Sequence, residues 1–215
     1  MPRGRWPCGS TRRRISTMAA DLPWERDFEP EAWAPPPPPM RWARWGSHEA
    51  GQGVHGFVED RRIRPILGGR LAGLGVGRRW AVEPDYSVLG GMPEPVVRWQ
   101  VYRARYAGEL LRRQGLTVVP VLQWADPAHW SLMTWGIKPG SAVACRAPSA
   151  DLAERAAWSS GYRVLVEAVM PSVVLVFGVA SRVRGTLDAV GLPWQQLPLR
   201  STRTAEAEGG KVQRL

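Results

Sequence analysis

The sequence predicts an α/β fold: a mostly parallel sheet of about six strands built from βα repeats, open or rolled into an incomplete barrel and flanked by helices. Three observations carry this expectation. Short β-branched runs recur between helix-length segments across residues 84–178, and connections of that length join parallel strands. The joins Pro84-Asp85-Tyr86-Ser87 and Gln123-Trp124-Ala125-Asp126 set acidic and aromatic residues directly after such runs, where open α/β sheets carry their sites. No run has the alternating polar pattern of an exposed edge, which leans the expectation toward the rolled form.

Element by element, residues 54–58 (Val-His-Gly-Phe-Val) read as a strand that ends at Glu59-Asp60. The next segment, 61–77, stands where a repeat places a helix, yet its glycines give it poor helix propensity. Residues 80–84 form the second strand, Gly90-Gly91 a turn, and Pro93 suits a helix N-terminus ahead of a helix over 96–113. Gly115 closes that helix. Residues 116–122 are a buried strand whose internal Pro120 implies a break in the ladder. Asp126-Pro127 opens a short helix ended by Gly136; then come a strand at 141–145, a helix at 151–169 and the most apolar strand at 173–178. A helix at 183–190 and a strand at 194–199 complete the domain, and the polar residues 200–215 are expected to be disordered.

Upstream of residue 54 neither period is sustained. Five consecutive prolines, residues 35–39, impose an extended segment, and residues 18–53 read as a Trp- and Pro-rich arm or linker. Trp24, Trp33, Trp42 and Trp45 are too many for a solvated tail, so some should pack on the domain or on a protein partner. Residues 1–17 form a basic leader, read as a targeting peptide, a nucleic-acid arm, or an upstream extension of a chain that starts at Met18.

With 215 residues and 44% hydrophobic content, the chain is long enough for one well-buried domain, spanning 54–199. The formal net charge of +10 suggests a nucleic-acid partner until it is divided, because Arg3, Arg5, Arg12, Arg13 and Arg14 supply five of those charges. The two cysteines, Cys8 and Cys145, make neither a disulfide framework nor a metal cluster, and no apolar stretch is long enough to span a membrane. A cytoplasmic chain with no membrane association is expected.

The residues Val54-His55, Phe57, Glu59-Asp60, Pro84-Asp85-Tyr86-Ser87, Met92-Pro93, Trp99, Tyr102-Arg103, Arg105, Gly108, Gln114-Gly115 and Val119-Pro120 form an ordered series of motifs. It continues with Trp124 and Asp126, Gly136, Gly140-Ser141 and residues 171–178. This series resembles the domain-of-unknown-function family 4417, over about residues 54–180. The resemblance implies a compact α/β domain in a bacterial or phage setting and implies no activity. The chain departs from the family's pattern in the glycine-rich stretch 67–77, where relatives carry a helix with spaced leucines.

Parallel strands would bring Glu59, Asp60, Asp85 and Asp126 to one sheet edge, with Asp60, Asp85 and Asp126 as candidate catalytic groups. Clustered carboxylates can hold a cation, work as an acid and base pair, or bind a basic ligand. Equally, Asp126 can cap a helix, Asp85 can close a turn, and Glu59-Asp60 can pair with Arg61 or Arg62. On the helix over 96–113, Arg98, Arg105, Glu109 and Arg112 share a face read as solvated, whereas Arg103 falls among Trp99, Tyr102 and Tyr106 and needs a partner. Asp85 and Asp126 are the candidates for it, making Arg103 either a structural lock or an anion clamp, with Tyr86 and Trp124 beside it as ligand contacts.

Arg61, Arg62, Arg70, Arg78 and Arg79 are candidate nucleic-acid contacts, since residues 61–80 contain no acid. Gly73-Leu74-Gly75-Val76-Gly77 only superficially resembles a phosphate loop, because it precedes a strand and lacks the lysine and hydroxyl. His48, His55 and His129 have no partner at zinc-ligand spacing, Cys145 reads as a buried apolar cysteine, and the identity of any cofactor is left open. Three functional readings remain open: a ligand or catalytic site at the strand ends, a nucleic-acid-binding accessory protein, and an assembly component docking through its arm.

Overall fold

The computed structural model describes residues 32–199. Seven strands follow in chain order: β1 (Trp42–Arg44), β2 (Gly53–His55), β3 (Trp80–Val82), β4 (Thr117–Val119), β5 (Ala142–Arg146), β6 (Val173–Phe177) and β7 (Trp194–Leu197). Every pairing is parallel, in a four-stranded sheet β1-β2-β3-β4 and a three-stranded sheet β5-β6-β7. The ladder breaks after β4 because Pro120 has no N–H to donate. A single parallel bridge, Val121 with Ala144, spans the seam, where the Leu122 N–H reaches the Ala144 carbonyl at 2.8 Å and the Ala144 N–H reaches that of Pro120 at 2.9 Å. The seven strands are therefore one spatially continuous parallel array, and it does not close into a barrel.

Two expectations are corrected at the N-terminal side. Trp42–Arg44, assigned from sequence to the arm, is the outermost strand of the first sheet. A three-residue strand is too short to show an alternation against its neighbours, which is why no period betrayed it. Farther upstream, the Ala32 N–H bonds the Gly136 carbonyl at 2.7 Å and the Ala34 N–H bonds Ser141 Oγ at 3.0 Å, so Ala32 and Ala34 are buried against the start of β5. The five prolines then carry the chain from the second sheet to β1. Residues 18–31 and both termini of the chain lie outside the described residues.

The helices are α1 (Asp60–Ile63), α2 (Glu94–Arg112), α3 (Trp130–Met133), α4 (Leu152–Val169) and α5 (Arg184–Val190). The glycine-rich stretch after α1 folds as two short 3₁₀ segments, Arg64–Gly68 and Ala72–Leu74, consistent with its poor helix propensity. Pro95 enters the first turn of α2, where its missing N–H is harmless, and the Asp151 side chain caps α4 by accepting from the Glu154 N–H at 2.8 Å. One face of the second sheet (Val143, Cys145, Val174, Val176) packs on Val97 and Val101 of α2, on Tyr162, Leu165 and Val169 of α4, and on Leu187 of α5.

The opposite faces of the two sheets roll toward each other. Phe177 of β6 meets Trp42 of β1 edge-on at 5.8 Å between centroids, and His55 and Phe57 at 4.8 and 4.9 Å. Around them Val119, Val121, Ala144, Leu175 and Leu197 fill the interior. His55 is enclosed there, its Nδ1 without a hydrogen-bond partner, and burial, reinforced by Arg44, pushes its imidazole down to about 3.

Beneath the seam lies an ion pair. Arg105 of α2 and Glu83, just after β3, are fully buried and bonded to each other, Nη1 to Oε2. The same Oε2 accepts the Val121 N–H at 3.1 Å, and the guanidinium donates to the carbonyls of Val121 at 3.2 Å, Met133 at 3.1 Å and Trp135 at 2.9 Å. Expected on a solvated face, Arg105 is instead the largest fully buried side chain, because α2 is covered on that side by the 133–135 turn. Gly108 permits the approach: a Cβ there would stand 2.5 Å from Glu83 Oε1.

Removing Glu83 strands the Arg105 charge in the interior, and removing Arg105 leaves Glu83 only the longer contact with Arg112 at 3.7 Å. Both Glu83→Leu and Arg105→Met are therefore expected to lower unfolding free energy in denaturant titrations, by about 3–5 kcal/mol for Glu83→Leu and by no more than that for Arg105→Met. The double variant should lose less than the two single losses combined, a coupling read from a double-mutant cycle. For His55, the folded-state value lies below the unfolded one, so the unfolded chain takes the proton first and the stability present above about pH 6.5 drains as pH falls. His55→Leu should flatten that acid limb in pH-dependent unfolding curves.

Candidate functional site

Because all strands run the same way, the loops that follow them converge on one rim. There they enclose an open cavity of about 580 Å³. Its charged and polar lining comes from separate elements: Asp85 and Ser87 after β3, Gln123 after β4, Arg146 at the end of β5, Ser149 in the loop before α4, Glu154 in its first turn, and Arg182 beyond β6.

Asp85 projects from the loop held at its base by Glu83. Its carboxyl is half-buried and, among the described residues, makes no hydrogen bond or ion pair. Burial pushes it up to about 6; Arg146 works against the rise and Asp60 adds to it. Arg146, exposed at the cavity wall, likewise has no side-chain hydrogen bond or ion pair among the described residues. Arg182 spends one nitrogen on the Pro148 carbonyl at 3.1 Å. Glu154 accepts from the Ser149 N–H at 3.0 Å and from its hydroxyl, and these bonds hold the carboxyl below its ordinary range.

One wall is aromatic. The Trp124 Nε1–H donates to the Trp158 carbonyl at 3.1 Å and the Trp158 Nε1–H to the Arg146 carbonyl at 2.9 Å, so the indoles tie the loop after β4 to α4 and to the end of β5. Their centroids are 5.2 Å apart, and Trp158 in turn stacks on Tyr162 at 4.9 Å. Gly161 makes the seat, since a Cβ at that position would run into the Trp124 indole.

The other sequence candidates are scattered or spent. Arg103 pairs neither with Asp85 nor with Asp126. Its guanidinium lies 4.1 Å above the Tyr86 ring, donates to Gln100 Oε1, and stands 3.6 Å from Asp60 Oδ2. Asp60 wins because it follows β2, the strand beside β3, and its Oδ1 is also fixed by the Ser87 N–H at 3.3 Å and hydroxyl at 3.1 Å. Tyr86 is buried with its hydroxyl donating to the Ile63 carbonyl at 3.3 Å. Asp126 caps the turn that follows it, accepting from the Ala128 N–H at 2.9 Å, and does not line the cavity. Trp124 alone joins Asp85 there.

The basic stretch is partly consumed by the fold. Arg78 donates to the carbonyls of Glu49 at 2.6 Å, Leu74 at 3.2 Å and Gly51, while Arg62 bonds the Trp45 carbonyl at 3.3 Å and Arg61 pairs with Glu59 at 2.6 Å. Arg70 and Arg79 are exposed. Among the described residues no group of three His, Cys, Asp or Glu side chains is placed to hold a metal ion, and no helix is long and apolar enough to cross a membrane. Cys145 is buried, and burial pushes its thiol up, away from nucleophilic use.

Arg146, Arg182 and Trp158 were not singled out by their sequence context as site residues. A signal for two of them was present: Arg146 is the one charged residue at the end of an apolar strand, and Trp158, Gly161 and Tyr162 share a helix face in which the glycine leaves room for a neighbour.

Gly161→Ala should unseat Trp124 and cost about 1–3 kcal/mol by overpacking, seen as a lower denaturation midpoint. Gly185→Ala, on a helix with open space at that position, serves as the control and should leave the midpoint unchanged or raise it.

No curated protein and no solved structure matches the chain. A family model described as a domain of unknown function (DUF4417) matches residues 40–187, starting just before β1 and ending in α5. That span takes in every cavity-lining residue except Leu199. The chain therefore belongs to this family of domains of unknown function.

Proposed function

We propose that the rim cavity is a small-molecule site in which Asp85 exchanges a proton with the bound ligand. The observation that carries this reading is the contrast among the acidic candidates. Asp60 and Asp126 are engaged by serine, arginine and backbone donors, whereas Asp85 opens into the cavity with no bond among the described residues. A carboxyl lifted to about 6 is mostly ionised at neutral pH yet easily protonated, which suits a general base that later returns its proton. Arg146 is placed to steady charge that develops beside it. Trp124 and Trp158 form one aromatic wall.

This arrangement predicts a titration with signs for three groups. Carboxyl ¹³C NMR should find Asp85 titrating near 6. Arg146→Ala should raise that value and Asp60→Asn should lower it; an Asp85 that titrates in the ordinary carboxylate range overturns the reading.

Asp85→Asn should keep the fold. The folded-state value lies above the unfolded one, so the native state holds the proton more tightly, and stability declines as pH rises through about 4–6. Removing the charge should therefore stabilise the protein above about pH 7 by up to ~2 kcal/mol, measured in denaturant against the parent chain. A stabilised variant is the expected signature of a group kept for function.

A further inference from the structure

Resting on the reading of the cavity as a ligand site, we propose the class of ligand: an amphipathic anion, a carboxylate or phosphate monoester carried on a planar apolar group. Arg146 and Arg182 grip the anionic end, and Trp124 with the apolar wall takes the other.

Two guanidinium groups from different elements face the same space. Arg146 ends β5 and has all five donors uncommitted among the described residues, while Arg182, beyond β6, has one nitrogen fixed by the Pro148 carbonyl. That fixed nitrogen holds the Arg182 fork in place, and a planar fork matches carboxylate and phosphate oxygens. The carboxylates lining the same space are Asp85 from the β3 loop and Glu154 from α4; Asp60 from α1, outside the lining, and the buried Cys145 thiol lie within electrostatic reach of Asp85. Asp60 is neutralised by Arg103, and Glu154 is bonded twice by Ser149. Asp85 is left as the carboxylate that an incoming anion opposes, and binding is accordingly coupled to its proton.

The remaining wall favours a ligand with an apolar body over a bare inorganic ion. Phe57, Leu122, Trp124, Val179 and Leu199 line the space, and Leu89 and Val179 are 60% and 44% exposed at the cavity. Apolar side chains left open to water around a cleft are the mark of a surface completed by a ligand. At about 580 Å³ the cavity has room for a ring system beyond the anion.

The test uses isothermal titration calorimetry on the full chain with four probes: phenyl phosphate, benzoate, inorganic phosphate and phenol. The expected result is that phenyl phosphate or benzoate binds at least about tenfold more tightly than inorganic phosphate or phenol. Arg146→Ala and, separately, Arg146→Gln should weaken that binding about tenfold. Both variants should stay folded, with a denaturant midpoint at or slightly below the parent's at neutral pH, since the exposed side chain has no hydrogen bond to lose and only its attraction for the Asp85 carboxylate is removed. The better of the two ring-bearing anions should also raise the Asp85 titration by about one pH unit, equivalent to about tenfold tighter binding below pH 6 than above pH 7.5.

Absence of binding by both ring-bearing anions at about 10 mM, or binding indifferent to both Arg146 variants, overturns the ligand class. In that case an Asp85 still titrating near 6 keeps the underlying site reading intact. An Asp85 that titrates in the ordinary range while phenyl phosphate still binds through Arg146 overturns the proton exchange and keeps the ligand class.

Discussion

The buried Arg105–Glu83 pair is the interaction on which the rest of the molecule hangs. The parallel array has a discontinuity at Pro120, where one strand edge loses a donor and the backbone of Val121 would be left in the interior without partners. Glu83 takes the orphaned N–H and Arg105 takes the carbonyl, so the seam between the sheets is sealed by side chains where the ladder cannot continue. The desolvation cost of both ions is offset by six hydrogen bonds among them and the surrounding backbone. The arrangement is more specific than stabilising: few alternative packings of α2 could satisfy the same donors and acceptors.

The same pair positions the candidate site. Asp85 lies two residues beyond Glu83, and Trp124 three residues beyond Val121, so both cavity walls extend from backbone that the ion pair has fixed. Close contacts reinforce it, with Gly56 admitting the Pro84 backbone and Gly161 seating the Trp124 indole. A carboxyl can be held partly desolvated and free of local partners only on a scaffold this constrained. In a mobile loop it would turn to water or find a donor, and its proton affinity would relax to the ordinary value.

Charge in this protein is spent largely on architecture. Arg78 laces three carbonyls of the stretch between β1 and β3, Arg62 holds the Trp45 carbonyl, and Arg103 is sandwiched between Tyr86 and Asp60. A basic composition thus overstates the cations available to a polyanion. Conversely, the exposed Arg146 stands out because its neighbours are consumed. His55 shows the opposite economy: a titratable ring placed among Phe57 and Phe177 serves as an aromatic and is kept neutral by burial.

Six of the seven strands, the long helices and the family resemblance are legible in the sequence, because β-branched runs, helical periodicity and turn residues are local properties read within a window of several residues. Pro120 even marks the seam, and Asp126 its own capping role. The sequence also contains Asp85 and Trp124 in strand-following loops, and the parallel direction of every strand delivers both to one cavity. Their partners are another matter. That Arg105 is buried, that Arg103 answers to Asp60, and that Arg146, Arg182 and Trp158 surround Asp85 depend on which loops meet across the rim. Local pattern constrains hydrogen bonding and periodicity along the chain; it carries no information about distances between segments tens of residues apart, and those distances decide which charges are paired and which are left to act.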